Sequence, residues 1–179
     1  AVGAALDSAD RPVVLVGHSM GGLVVSQAAE ARPEKVKRLV YLAAFLVDDD
    51  TSLLQASAND DESTLAMYLT PAGDTITLEP DGVAGAFCSD CSAADVALIQ
   101  EHLRPEPLAP FATKIHTTPE NWGAVPRVYI QTLEDLAIGP AKQESLFTAN
   151  PCEKVITIAA GHCPFLTQPD EVAAALTEP

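Results

Sequence analysis

Ser19 stands in Gly17-His18-Ser19-Met20-Gly21, between the apolar run Val13-Val14-Leu15-Val16 and a helix-forming stretch over 22–31. A strand, a sharp turn and a helix with a serine at the apex form a nucleophile elbow. The reversal puts the serine in strained backbone geometry, and side chains two positions to either side would collide. Glycine at 17 and 21 removes those side chains, and Gly22 lets the helix lie close to the strand. The serine hydroxyl is left at the strand's C-terminal end, near the positive end of a helix dipole. A serine that merely caps the helix is the plain alternative, but capping does not explain glycine on both flanks. The chemistry such a serine performs is attack on a carbonyl, with the backbone N–H of Met20 as one oxyanion donor.

A serine hydroxyl needs a base, and the base needs an orienting acid. With this elbow the chain order is serine, then acid, then histidine, each at the C-terminal end of a parallel strand. Four histidines compete for the role of base. His18 lies inside the elbow and is expected to point away from the place a base must occupy. His102 and His116 fall in the middle of the chain. His162 follows the last apolar run, in Ala160-Gly161-His162-Cys163-Pro164, and is the choice. For the acid, Thr132-Leu133-Glu134-Asp135 offers two carboxylates after the preceding run. Asp135 is preferred, with Glu134 as the fallback. Asp48, Asp49 and Asp50 hold a position some hydrolases use, although three adjacent acids more often make a solvated loop.

A parallel sheet must position these groups. Residues 13–16 are apolar and β-branched, as expected of a strand buried on both faces, and a helix over 20–31 ends at Arg32-Pro33. Further buried strands are expected within 36–46, 126–132 and 154–158, with helices over 141–148 and 169–176. Four strands with helical crossovers imply an α/β fold with right-handed connections. Between 51 and 124 the pattern changes to helical patches at 53–56, 62–69 and 93–102, separated by Pro- and Gly-bearing loops. This reads as a helical cap inserted into a core made of 1–50 and 125–179. Thr75-Ile76-Thr77-Leu78 is a candidate for a small hairpin arm.

The 179 residues, 47% hydrophobic and 20% charged, suffice for one domain with a sizeable core. A formal net charge of −15 disfavours nucleic acid and anionic membranes as partners. No apolar run approaches the ~20 residues of a membrane-spanning helix. No signal peptide is visible, so the compartment stays open, with the cytoplasm slightly favoured. Cys88-Ser89-Asp90-Cys91 is a C-x-x-C without a second pair or a His pair to complete a metal site. Buried thiols or a local structural disulfide are the better reading, and no cofactor or metal is called for.

Residues 13–16 should form a central strand, yet downstream segments can flank it on one side only. Each βαβ unit takes roughly 30 residues, so on the order of 60 residues of sheet are expected from elsewhere. The N-terminal strands of the sheet are therefore read as absent from this chain, leaving its C-terminal part. An N-terminal segment or a second chain would complete the sheet and supply the other oxyanion donor. A rearranged minimal fold is the remaining option.

With these residues placed, the sequence resembles the esterase and hydroxynitrile lyase family of α/β-hydrolases, which includes the plant methylesterases and bacterial relatives. The resemblance is carried by residues 14–22, by Leu39-Val40-Tyr41-Leu42-Ala43-Ala44-Phe45, by Phe87-Cys88-Ser89-Asp90-Cys91-Ser92 with Leu103-Arg104-Pro105, by residues 125–130 and by Gly161-His162. It implies an α/β-hydrolase fold with Ser19 as nucleophile, Asp135 as acid and His162 as base. Lyase members place a lysine directly after the histidine, where this chain has Cys163, so the resemblance implies hydrolysis of a small-molecule ester. His18, Phe87, Leu103, Phe111 and Trp122 are candidates to line the substrate pocket, plain packing being the equal alternative for the aromatics. A hydroxynitrile lyase and a non-catalytic ligand-binding module, or one chain of a split hydrolase, are the competing readings.

Overall fold

The computed structural model describes residues 1–177. Four parallel strands form the main sheet: β1 (Val13–Ser19), β2 (Val36–Ala44), β6 (Arg127–Thr132) and β7 (Lys154–Ile158), in the order β1-β2-β6-β7. In-register pairing sets Leu15 beside Leu39, Leu39 beside Arg127 and Tyr129 beside Val155. Helix α1 (Val2–Asp7), α2 (Gly21–Ala31) and α6 (Pro140–Ala149) contribute to one side of the sheet. There Leu6, Val25, Ala29, Leu39, Tyr41 and Tyr129 close a core, with Leu146 and Phe147 packed against it. The other side is covered by α8 (Pro169–Thr177), whose Val172 and Ala175 meet Val40, Leu42, Val128, Ile130 and Ile158. Short α7 (Pro164–Thr167) precedes it.

The central strands β2 and β6 are buried almost throughout, as continuous apolar runs in a doubly covered parallel sheet require. Strand β1 departs from that expectation. It is an outer strand, and Val14 and Val16 are 43% and 40% exposed. Both belong to one alternating set, while Val13 and Leu15 of the other set pack against the α1–α2 core. The helix on the opposite side covers β2, β6 and β7 but leaves β1 open.

Residues 51–124 do not join the parallel sheet. They hold short α3 (Leu53–Ala56), α4 (Ala93–His102) and α5 (Ala109–Ala112), and a second, antiparallel sheet of β3 (Leu69–Ala72), β4 (Thr75–Leu78) and β5 (Glu106–Pro107). The helical patch expected at 62–69 shrinks to a 3-10 turn over Leu65–Tyr68, because the chain enters β3 at Leu69. The segment is therefore a mixture of helix and sheet. Ser52 caps α3 with a reciprocal bond from Gln55, and Ser92 caps α4 by accepting the Asp95 N–H at 3.2 Å. Cys88 and Cys91 form a disulfide, and Cys152 and Cys163 are free thiols.

Candidate active site

Ser19 ends β1 with φ of +56°, the left-handed geometry that a sharp strand-to-helix reversal imposes. Helix α2 starts two residues later, so its N-terminus faces the turn. A Cβ on Gly17 would lie 2.6 Å from the Gly21 carbonyl oxygen, and one on Gly22 would lie 2.2 Å from that of Phe45. Both positions thus demand glycine because backbone approaches backbone. Gly21 differs from expectation: a Cβ there meets nothing within 4 Å. Ser19 is also tied to the end of β2, its carbonyl accepting the Phe45 N–H at 3.1 Å.

Asp135 lies in the loop between β6 and α6 and is fully buried. Its Oδ1 accepts the backbone N–H groups of Ala137 and Ile138 at 2.8 and 2.9 Å. Its Oδ2 accepts from the Thr132 hydroxyl at 2.9 Å, the Gln143 amide at 3.0 Å and the His162 imidazole Nδ1 at 2.8 Å. Burial alone would raise the Asp135 carboxyl; the adjacent His162 and these donors outweigh it and hold the group below the usual carboxylate range. Glu134, the fallback, is exposed. Asp49 and Asp50 engage His116 and Lys114 at 2.8 and 2.7 Å, well apart in sequence from the 132–143 loop network.

His162 is 1% exposed. With Nδ1–H given to Asp135, the ring's other nitrogen, Nε2, carries the basic lone pair. That Nε2 is buried and has no hydrogen-bond partner among the described residues. The structure therefore brings Asp135 and His162 together but closes no hydrogen bond from Nε2 to Ser19. Free hydrolases often leave that bond long until substrate arrives.

His18 does not point away as expected. Its ring lies 4.6 Å from that of His162, centroid to centroid, and its Nε2–H donates to the His162 carbonyl at 2.7 Å. Phe165 meets it edge-on at 5.1 Å. Burial, reinforced by His162, lowers the His18 pKa to about 4, so the ring is neutral near pH 7. Its ring is thus occupied in holding the histidine loop.

The pocket candidates separate. Phe87 stacks on the His162 ring at 5.3 Å. Leu103 packs with Phe87 against a cluster that includes Cys88 and Cys163, whereas Phe111 packs with Met20 against Leu23 and Phe45. Trp122 is a correction. It is buried in the core below the sheet, donates its indole N–H to the Tyr41 hydroxyl at 2.9 Å and carries the Arg127 guanidinium 4.1 Å above its ring. A large ring whose single polar atom finds a buried partner gains most from that burial.

Gln143 was not foreseen. It is fully buried on α6, bonds the Thr132 N–H through Oε1 at 3.1 Å and donates to both Asp135 and the Ile138 carbonyl. Its only sequence signal is a place in the first turns of the helix that follows the acid. Among the described residues, no group of three or more His, Cys, Asp or Glu could hold a metal ion, and no helix is long and apolar enough to cross a membrane.

The sequence profile of the Alpha/beta hydrolase family matches residues 1–175. The chain is 33% identical over 182 residues to "Putative methylesterase 12, chloroplastic" of Arabidopsis thaliana, covering 95% of this chain and 52% of that protein. It thus spans about half the length of that relative. It is 31% identical to "Salicylic acid-binding protein 2" of Nicotiana tabacum, over 96% of this chain and 71% of the other. The crystal structure of polyneuridine aldehyde esterase superposes with a TM-score of 0.82 at 28% identity, over 97% of this chain and 74% of that one.

Proposed function

The chain belongs to the alpha/beta hydrolase family, and from that premise we propose that it is a serine carboxylesterase acting on small carboxylic esters. One observation carries the reading: a buried imidazole, clamped on one side by a carboxylate with five hydrogen-bond donors, presents an unpartnered Nε2. The relatives named as esterases support the substrate class.

Ser19 Oγ attacks the ester carbonyl while His162 Nε2 takes its proton. Asp135 holds the imidazole in the tautomer that leaves Nε2 free and stabilises the imidazolium that results. The carbonyl electrons move to oxygen, where the Met20 N–H at the start of α2 is one donor. Collapse expels the alcohol, which receives the proton from His162. Water, deprotonated by His162, then attacks the acyl-serine, releasing the acid and restoring Ser19. The second oxyanion donor and a strand pairing with the free edge of β1 would come from an N-terminal segment or a second chain, which would also cover the sheet face where Val14 and Val16 are exposed. Residues 51–124 act as a cap over the site, with Phe87 against the His162 ring as one wall and Leu103 and Phe111 as further candidates for its lining.

Cyanohydrin cleavage is disfavoured at Cys163. A lyase would need a cation beside the histidine, but this thiol is buried and burial pushes its pKa up to about 12, so it stays neutral. Ser19→Ala is expected to lower hydrolysis of a short p-nitrophenyl ester by about a thousandfold or more. Surviving activity would mean that another group is the nucleophile.

A further inference from the structure

We propose that Asp90 is a positioning residue for His162, acting through the peptide N–H of Gly161 from a loop closed by the Cys88–Cys91 disulfide. The role rests on the reading of His162 as the base. Asp135 holds the imidazole Nδ1 and His18 holds the carbonyl of His162. Neither reaches the N–H of the Ala160–Gly161 peptide, where the chain leaves β7 with the Ala160 carbonyl accepting the Glu134 N–H at 3.0 Å.

Asp90 does. Its Oδ2 accepts the Gly161 N–H at 2.9 Å, a bond between a buried donor and a carboxylate on an exposed residue. The approach is so close that a Cβ on Gly161 would lie 2.5 Å from Asp90 Oδ1 and 3.2 Å from the Ser89 hydroxyl. The loop that carries Asp90 is itself fixed at both ends. Cys88 is buried, donates its N–H to the Val83 carbonyl at 2.7 Å and is joined to Cys91, whose N–H returns to the Cys88 carbonyl at 3.2 Å. Ser92 then caps α4. Phe87, just before the loop, stacks on the His162 ring. Ring and backbone of the base are therefore gripped by one short stretch, 87–91. A charge-assisted bond to the peptide beside the base sets where Nε2 sits relative to Ser19, and a misplacement near 1 Å costs rate steeply.

The test compares the full chain with its Asp90→Ala and Asp90→Asn variants. Three quantities are read: hydrogen exchange of the Gly161 amide, the rate of Ser19 labelling by a fluorophosphonate, and the pH midpoint of that rate. Asp90→Ala is expected to speed exchange at Gly161, slow labelling about tenfold and move the pH midpoint, while the lost bond to the buried Gly161 N–H lowers the thermal midpoint by a few degrees and leaves the protein folded. Asp90→Asn, which keeps an acceptor oxygen, is expected to restore most of the rate and the pH midpoint. Wild-type protection, rate and pH midpoint in Asp90→Ala would overturn the positioning role while leaving the base assignment intact. A folded wild-type protein unlabelled at Ser19 would overturn the hydrolase reading, and the catalytic side of this role with it.

Discussion

At the scale of single residues, the site is organised by what each buried polar atom can bond. Asp135 saturates both oxygens with donors, His162 spends Nδ1 on Asp135, and its Nε2 is left without a partner among the described residues. His18 completes the arrangement as a neutral ring on the back of the base. That neutrality has a cost at acid pH. Its pKa falls from 6.5 to about 4 on folding, so between those values the unfolded chain binds a proton the native one does not. The stability this residue contributes is complete above pH 6.5 and is lost as pH falls toward 4, by up to ~3 kcal/mol. Asp135, depressed in the same sense, adds a loss that continues through lower pH as its carboxylate protonates. Urea unfolding as a function of pH is expected to show this decline, and His18→Asn to flatten the part between pH 6.5 and 4. A decline of equal size in the variant would remove His18 as its source. The strained turn at Ser19 and the Asp135–His162 pair were legible in the sequence because they lie at or just after strand ends. The contacts of Gln143 and His18 were not, since both run across the chain where no local pattern encodes them.

At the scale of elements, the parallel strands were readable from apolar, β-branched runs. Residues 51–124 were less so. Thr75-Ile76-Thr77-Leu78 does pair as β4, but its partners β3 and β5 include Pro71 and Pro107, residues that discourage a strand assignment. Trp122 misled because an aromatic in a loop looks available, while its N–H finds Tyr41 beneath the sheet. The elbow glycines make a sharper test. Gly22→Ala drives a Cβ into the Phe45 carbonyl, so it is expected to destabilise by at least ~2 kcal/mol. Gly21→Ala meets open space at a helix start and is expected to be neutral or stabilising by up to ~1 kcal/mol. Chemical denaturation of the two variants checks the order. If Gly21→Ala proved as damaging as Gly22→Ala, some group would have to pack against Gly21 that the 177 described residues do not supply.

At the scale of the whole molecule, the candidate site lies at one end of the sheet: Ser19 ends β1, Asp135 follows β6 and His162 follows β7. That shared placement follows from parallel strands whose C-terminal ends lie together, and the proposed function depends on it. The same topology leaves β1 outermost, with Val14 and Val16 open, so the elbow sits beside the least covered part of the fold. The charge of −15 disfavours binding to nucleic acid and anionic surfaces and by itself identifies no substrate. The central claim is that Ser19 is a nucleophile activated by His162. Treating the folded protein, together with the segment or chain that completes the sheet beside β1, with a fluorophosphonate and locating the adduct by peptide mass spectrometry tests it most directly. The predicted result is one adduct, on Ser19, formed in the wild type and slowed at least a hundredfold in His162→Ala. An adduct on another residue, no adduct in the folded wild type, or equal labelling in His162→Ala would contradict it.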